Sequence, residues 1–208
     1  MGFDHSPAGT LGVDIALART VQALKSPRLR EQTWQHLNAN PHRAEAWRDK
    51  VAQVVATRGQ APRPGASTGE ATVLGFVSDR IADFARRHEP AVQPARVLAM
   101  TDKALLHADG VKHLDDGLAL SQDQYAMLPG LISRPDEVYW DLEHANLVYI
   151  GRLADGSVIY LPVVLEKAAK KIGRIDALVN AYRLPPGKDG ADRLLTLRYA
   201  RMEKGEAP

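Results

Sequence analysis

Asp155-Gly156 stands between two β-type runs, Leu147-Val-Tyr-Ile-Gly-Arg152 and Val158-Ile-Tyr-Leu-Pro-Val-Val-Leu165. Both turn positions tolerate positive φ, so the pair closes the runs into a tight antiparallel hairpin. That hairpin constrains the rest of the C-terminal half. Pro135 breaks the chain before a strand candidate at 138–141, and two more strand candidates follow at 177–184 and 194–201. A shorter apolar run at 97–100 precedes them. Connections this short leave no room for crossover helices, so the spacing predicts an antiparallel meander and not βαβ units.

The N-terminal part is helical. Leu17, Val21 and Leu24 fall at helical spacing. Ser26-Pro27 and Asn40-Pro41 each place a capping side chain before a proline at the first helical position, where the missing N–H costs nothing. Ala44, Trp47, Val51, Val54 and Val55 then make one apolar face. Residues 59–70 are rich in Pro, Gly and Ser and read as a linker. Beyond it a further helix is expected, carrying Val77, Ile81, Phe84 and Ala85 on one face and ending at Glu89-Pro90. Thr101 caps a short helix. Ser121-Gln-Asp-Gln124 is a capping box opening another that runs through Leu128. The expected organisation is a helical region over 1–58, a linker over 59–71 and an α+β domain over 72–208.

Composition sets limits on chemistry. The 208 residues are 45% hydrophobic and 25% charged, as in ordinary globular proteins. Cysteine is absent, which excludes disulfides, thiolate metal ligands and a cysteine nucleophile. The net charge of +2 is too small to argue for nucleic acid by itself. No apolar run approaches the roughly 18 residues of a membrane span, and no basic-then-apolar secretion signal opens the chain. The opening Met1-Gly-Phe-Asp-His-Ser-Pro7 reads as a cut into a longer parent.

No glycine-rich phosphate loop, zinc-helix motif or nucleophile elbow is present. His107, Asp109, His113, Asp115 and Asp116 cluster in sequence, but their spacing matches no metal pattern, and neither metal nor cofactor is expected. His113 can act as a general base or acid, because imidazole titrates near neutrality. Lys112 beside it can hold a phosphate as a point charge. A solvated loop pair is the alternative. Lys167, Lys170, Lys171 and Arg174 suit either a phosphate-attracting loop or a soluble hairpin end. Tyr182 suits base stacking or plain strand packing, and Arg183 suits a phosphate clamp.

Several of these segments together resemble a known module. They are Asp102-Lys-Ala-Leu-Leu-His107, Lys112-His113, Gly117-Leu-Ala-Leu-Ser-Gln-Asp-Gln-Tyr125, Leu128-Pro-Gly-Leu-Ile-Ser-Arg-Pro-Asp-Glu-Val138, the tyrosine-rich hairpin and Val179-Asn-Ala-Tyr-Arg183. The stretch from about 95 to 184 is similar to the phage-associated barnase–EndoU–colicin–RelE-like nuclease domain. That domain occurs at the C-terminus of Mu-like phage minor head (head morphogenesis) proteins. The opening Gly2-Phe-Asp-His-Ser-Pro-Ala-Gly9 also resembles the segment that precedes it there.

The resemblance implies an α+β fold, with helices packed on an antiparallel β-meander of four or five strands. It implies RNA as substrate, cut without metal by acid–base chemistry on a 2′-hydroxyl. His113 would then be base or acid. Lys112, Lys167, Lys171 and Arg183 would bind or stabilise phosphate, and Tyr182 and Asn180 would line the groove. Related chains often carry Ser or Thr at the Asn180 position; asparagine keeps a hydrogen-bond donor but removes a hydroxyl. The resemblance therefore points to a ribonuclease-like part of a phage head protein, with portal or capsid proteins as partners, in the host cytoplasm or the virion. Two alternatives stand beside it: a catalytically inert structural component of the head, and a nucleic-acid binding module without chemistry.

Overall fold

The computed structural model describes residues 7–58, 60, 70–169, 173–188 and 190–203. Three helices come first, α1 (Pro7–Gln22), α2 (Pro27–Asn38) and α3 (Pro41–Val55). The two cap-and-proline signals work as read. Ser26 Oγ accepts from the Leu29 amide at 3.3 Å, and Asn40 Oδ1 accepts from the His42 amide at 3.0 Å. Next come β1 (Ala71–Phe76), α4 (Asp79–His88), β2 (Val97–Thr101), α5 (Asp102–Ala108), α6 (Val111–Asp115), α7 (Gln122–Ala126) and α8 (Leu128–Ser133). The rest is β3 (Glu137–Asp141), β4 (Asn146–Arg152), β5 (Val158–Ala169), β6 (Gly173–Leu178), β7 (Tyr182–Leu184), a 3-10 turn at Ala191–Leu195 and β8 (Tyr199–Arg201).

The fold is α+β, but the sheet is larger than expected and mixed. Among the described residues eight strands run in the order β1-β2-β6-β5-β4-β3-β8, with β7 pairing β5 off that path. The expectation of a purely antiparallel meander of four or five strands is corrected by two features. First, β2 pairs β6 in parallel, Ala99 opposite Ala177. The two are distant in sequence, and hydrophobic pattern shows which face of a strand is buried, not which strand lies beside it. Second, β1 occupies the start of the segment read as helix, so that helix begins only at Asp79. Six residues of Ala-Thr-Val-Leu-Gly-Phe directly after the linker are too short for a period to separate the two readings.

Two further boundaries differ. The 177–184 run is split by Val179-Asn-Ala181 into β6 and β7. Of the 194–201 run, only Tyr199–Arg201 is strand. The hairpin holds: β4 and β5 are antiparallel and Gly156 has φ +81°.

One face of the sheet presents Leu98, Met100, Trp140, Tyr149, Ile159 and Leu161 to α3, α4, α5, α7 and α8. Alternation sends Val97, Ala99, Ile175 and Ala177 to the other face, where α1 and Trp34 cover them. Farther along that second face Tyr139, Tyr160, Leu184 and Tyr199 pack with Leu194 of the 3-10 turn. Both N-terminal tryptophans are buried and tied to elements later in the chain. Trp47 Nε1 donates to the Tyr125 carbonyl at 2.6 Å, and Trp34 Nε1 donates to Asp79 at 3.1 Å. Of the linker reading, residues 59 and 61–69 lie outside the described residues.

Candidate functional site

His113 sits on the five-residue helix α6, and a ladder of backbone hydrogen bonds sets its place. Gly117, at φ +66°, turns the chain back so that the Leu118 and Ala119 amides donate to the His113 carbonyl at 2.8 and 2.9 Å. The Leu118 carbonyl then accepts from the Arg183 amide of β7 at 2.7 Å. This fastens the Lys-His loop to the edge of the sheet. The His113 ring lies nearly parallel to Tyr182, centroids 5.7 Å apart, and edge-on to His107 at 5.6 Å. In the sequence only the resemblance links His113 with Tyr182; the structure brings the two rings together.

Tyr182 and Tyr160 are cross-strand partners with ring centroids 5.1 Å apart. Arg193, from the 3-10 turn, lies over both. Its Cζ is 4.7 Å from the Tyr160 ring centre and 5.9 Å from that of Tyr182, and Nη2 donates to the Tyr182 hydroxyl at 2.9 Å. Tyr160 and Tyr199 share a hydroxyl contact of 3.2 Å. The result is an aromatic and cationic cluster of His107, His113, Tyr182, Tyr160 and Arg193 at one edge of the sheet. Arg193 escaped sequence reasoning. A lone arginine before Leu194-Leu195 carries no signal until the turn is laid across the tyrosines.

Electrostatics favour a neutral His113. Burial lowers its pKa below the usual imidazole value, and neighbouring His107 and Lys112 add to the effect against Asp116. Its Nδ1 is buried without a hydrogen-bond partner among the described residues. A neutral imidazole can accept a proton, which suits a base better than an acid. Burial raises the Tyr182 hydroxyl, although Arg193 opposes that. Tyr182 is therefore a hydrogen-bonding phenol and not a phenolate.

Of the other expected residues, Arg183 and Lys167 are directed elsewhere. Side chains alternate along a strand, so Arg183 and Tyr182 leave β7 on opposite faces. The Arg183 guanidinium is taken by Ser157 Oγ at 2.9 Å and by the Asp155 carboxylate. Asn180 Oδ1 accepts from the adjacent Ala181 amide at 2.9 Å. Lys167 is exposed near the far end of β5, seven residues beyond Tyr160, about 23 Å of extended strand. Lys112 is exposed beside His113. Lys171 lies outside the described residues.

Two other features do not contribute to this cluster. A cavity of about 760 Å³ opens between the α2–α3 and α8–β3 junctions, lined by Asn38, Asn40, Pro129, Arg134, Glu137 and Arg201 among others, with no histidine in its wall. Among the described residues Asp141, Glu143 and His144 place ligand-type atoms within 4.8 Å of one another. Arg198 fills that position: it reaches Asp141 and Glu143 at 2.6 Å each and lies 2.7 Å from His144 Nδ1. In the sequence cluster around His113, Asp109 is fully buried and paired with Arg58. No described helix is long and apolar enough to cross a membrane.

No protein-family model matches the chain, and no solved structure does. Two curated relatives do. The chain is 27% identical over 186 residues to protein F of Escherichia phage Mu, whose name assigns it to capsid assembly, covering 88% of this chain and 39% of that protein. It is 32% identical over 180 residues to the Mu-like prophage FluMu F protein of Haemophilus influenzae, covering 85% and 42%. The chain thus spans about two fifths of the length of these curated relatives, and what it resembles over most of its own length is the F protein of Mu-like phages.

Proposed function

We propose that this chain is part of a head-assembly protein of a Mu-like phage or prophage, acting in the host cytoplasm and the assembling particle, with head proteins as partners. The observation that carries this reading is the similarity to protein F, which extends over 88% of the chain and so takes in the helices as well as the sheet. The test is location. In cells inducing a phage that encodes this chain, its peptides should appear in purified heads or head precursors and co-sediment with capsid or portal proteins. Recovery only in the free soluble fraction would overturn the reading.

A second reading gives the sheet edge a nucleic-acid role, with metal-independent RNA cleavage as its strongest form. It is favoured by the neutral, half-buried His113 beside His107 and by Tyr182 and Arg193 on the same edge. His113 would accept the 2′-hydroxyl proton. Purified protein should then cut RNA in EDTA, and His113→Ala should lose about a hundredfold or more of that rate. Equal rates for the two proteins would sink the catalytic form. Normal head yield in the same variant would separate assembly from chemistry.

A further inference from the structure

The arginines near the tyrosine cluster differ in one respect. Arg152 pairs with Glu137, Arg183 with Asp155, Arg198 with Asp141 and Arg201 with Glu137. Arg193 has no carboxylate partner among the described residues. It is half-buried, its Nε is buried without a hydrogen-bond partner, and Nη2 is committed to a neutral phenol. A cation withdrawn from water without a counter-charge is under-compensated. Tyrosine faces offset part of that cost but leave the charge in place.

This guanidinium contacts the Tyr160 and Tyr182 rings, and His113 is a further neighbour of Tyr182. His113 and Arg193 both lie within 6 Å of the Tyr182 ring centre, at 5.7 and 5.9 Å. We propose that Arg193, and not Arg183, is the side chain that receives a backbone phosphate of single-stranded RNA at the His113–Tyr182 edge. This rests on the nucleic-acid reading of the site. A planar fork whose Nη1 has no hydrogen-bond partner among the described residues suits a phosphate oxygen. Arg183 is excluded by geometry, because alternation carries it to the opposite face and Asp155 already neutralises it.

The test uses the full chain and a fluorescent 2′-O-methyl RNA oligonucleotide, which offers phosphates and bases but no cleavable hydroxyl. Binding is followed by anisotropy over a salt series. Arg193→Gln should weaken binding about tenfold or more and lower the salt slope by about one phosphate contact. Arg193→Lys keeps the charge while losing the tyrosine hydrogen bond, and should retain most of the binding if charge is the cause. Arg28→Gln, on the exposed face of α2, removes the same charge elsewhere and serves as the reference. Thermal melts check that each variant is folded.

Unchanged binding in Arg193→Gln, loss in Arg183→Gln alone, or no binding by the wild type would each overturn the assignment. Cleavage of unmodified RNA in EDTA separates the two claims. Binding that needs Arg193 without any cleavage retires the ribonuclease reading and leaves the phosphate site standing. Cleavage that Arg193→Gln does not slow leaves that reading standing and removes this one.

Discussion

At the scale of single residues, Asp176 shows how a buried charge shapes the backbone around it. It is fully buried on β6, and its carboxylate accepts from the amides of Ala95 at 3.0 Å, Arg96 at 2.8 Å and Glu166 at 3.1 Å. Arg96 and Glu166 are two of the non-glycine residues at positive φ, +75° and +55°. One side chain thus anchors two strained positions, one before β2 and one at the bulge of β5. Burial pushes the Asp176 carboxyl up to about 6, against the three amides, which lower it. A carboxyl whose folded pKa lies above its unfolded value contributes stability that is complete below the unfolded pKa, near 4, and is lost as pH rises through the folded one. Asp176→Asn cannot titrate and keeps one oxygen acceptor. The melting-temperature advantage of wild type over Asp176→Asn should therefore shrink between pH 4 and pH 7. An advantage that is flat or grows across that range would show the carboxylate to be favoured by the fold.

Among the elements, the edge strand β1 is bonded at its outer side by one side chain of α2. Asn38 Oδ1 accepts from the Phe76 amide at 2.6 Å, and Asn38 Nδ2 donates to the Phe76 carbonyl at 3.0 Å, as a neighbouring strand would. Gly75 lets the asparagine come this close, since a Cβ there would stand 2.9 Å from Asn38 Oδ1. Asn38→Ala leaves two part-buried backbone groups unpaired and should cost about 2 kcal/mol in urea unfolding; a loss near zero would mean that water replaces both bonds. Asn38 is also a measure of what the sequence could reveal. Caps, the Asp-Gly hairpin and the apolar faces were legible because each is encoded within a few adjacent residues. The Asn38–Phe76 bond, the β2–β6 parallel pair and Arg193 over the tyrosines join residues far apart in sequence and leave no local pattern. The site was legible to the same extent. His113 and Tyr182 could be singled out, and alternation alone separates Arg183 from Tyr182, but the Asp155 and Ser157 partners of Arg183 follow from the pairing of β7 with β5.

For the whole molecule, the question is whether the helices and the sheet fold as one unit. Trp47 of α3 shares a cluster with Leu74 of β1, Trp140 of β3 and Leu161 of β5, and it donates to the Tyr125 carbonyl. On the other face, Trp34 of α2 packs with Val97, Ala99 and Ile175 and lies against Phe76, ring centroids 5.6 Å apart. Asp79 binds Trp34 and Arg30 of α2 as well as Arg96 beside β2, so charge crosses the same seam. With apolar surface shared this way on both faces, neither half buries its own core alone, and unfolding should be a single cooperative transition. The three tryptophans make this measurable, because Trp34 and Trp47 report on the helices and Trp140 on the sheet. Fluorescence and far-ultraviolet circular dichroism should trace one urea curve. Trp47→Ala should move both probes together by about 3–5 kcal/mol. If that variant instead loses helical signal at low urea while Trp140 keeps the wild-type midpoint, the helices are a separate layer docked on a sheet that stands by itself, and the boundary near residues 59–71 is then a true domain boundary.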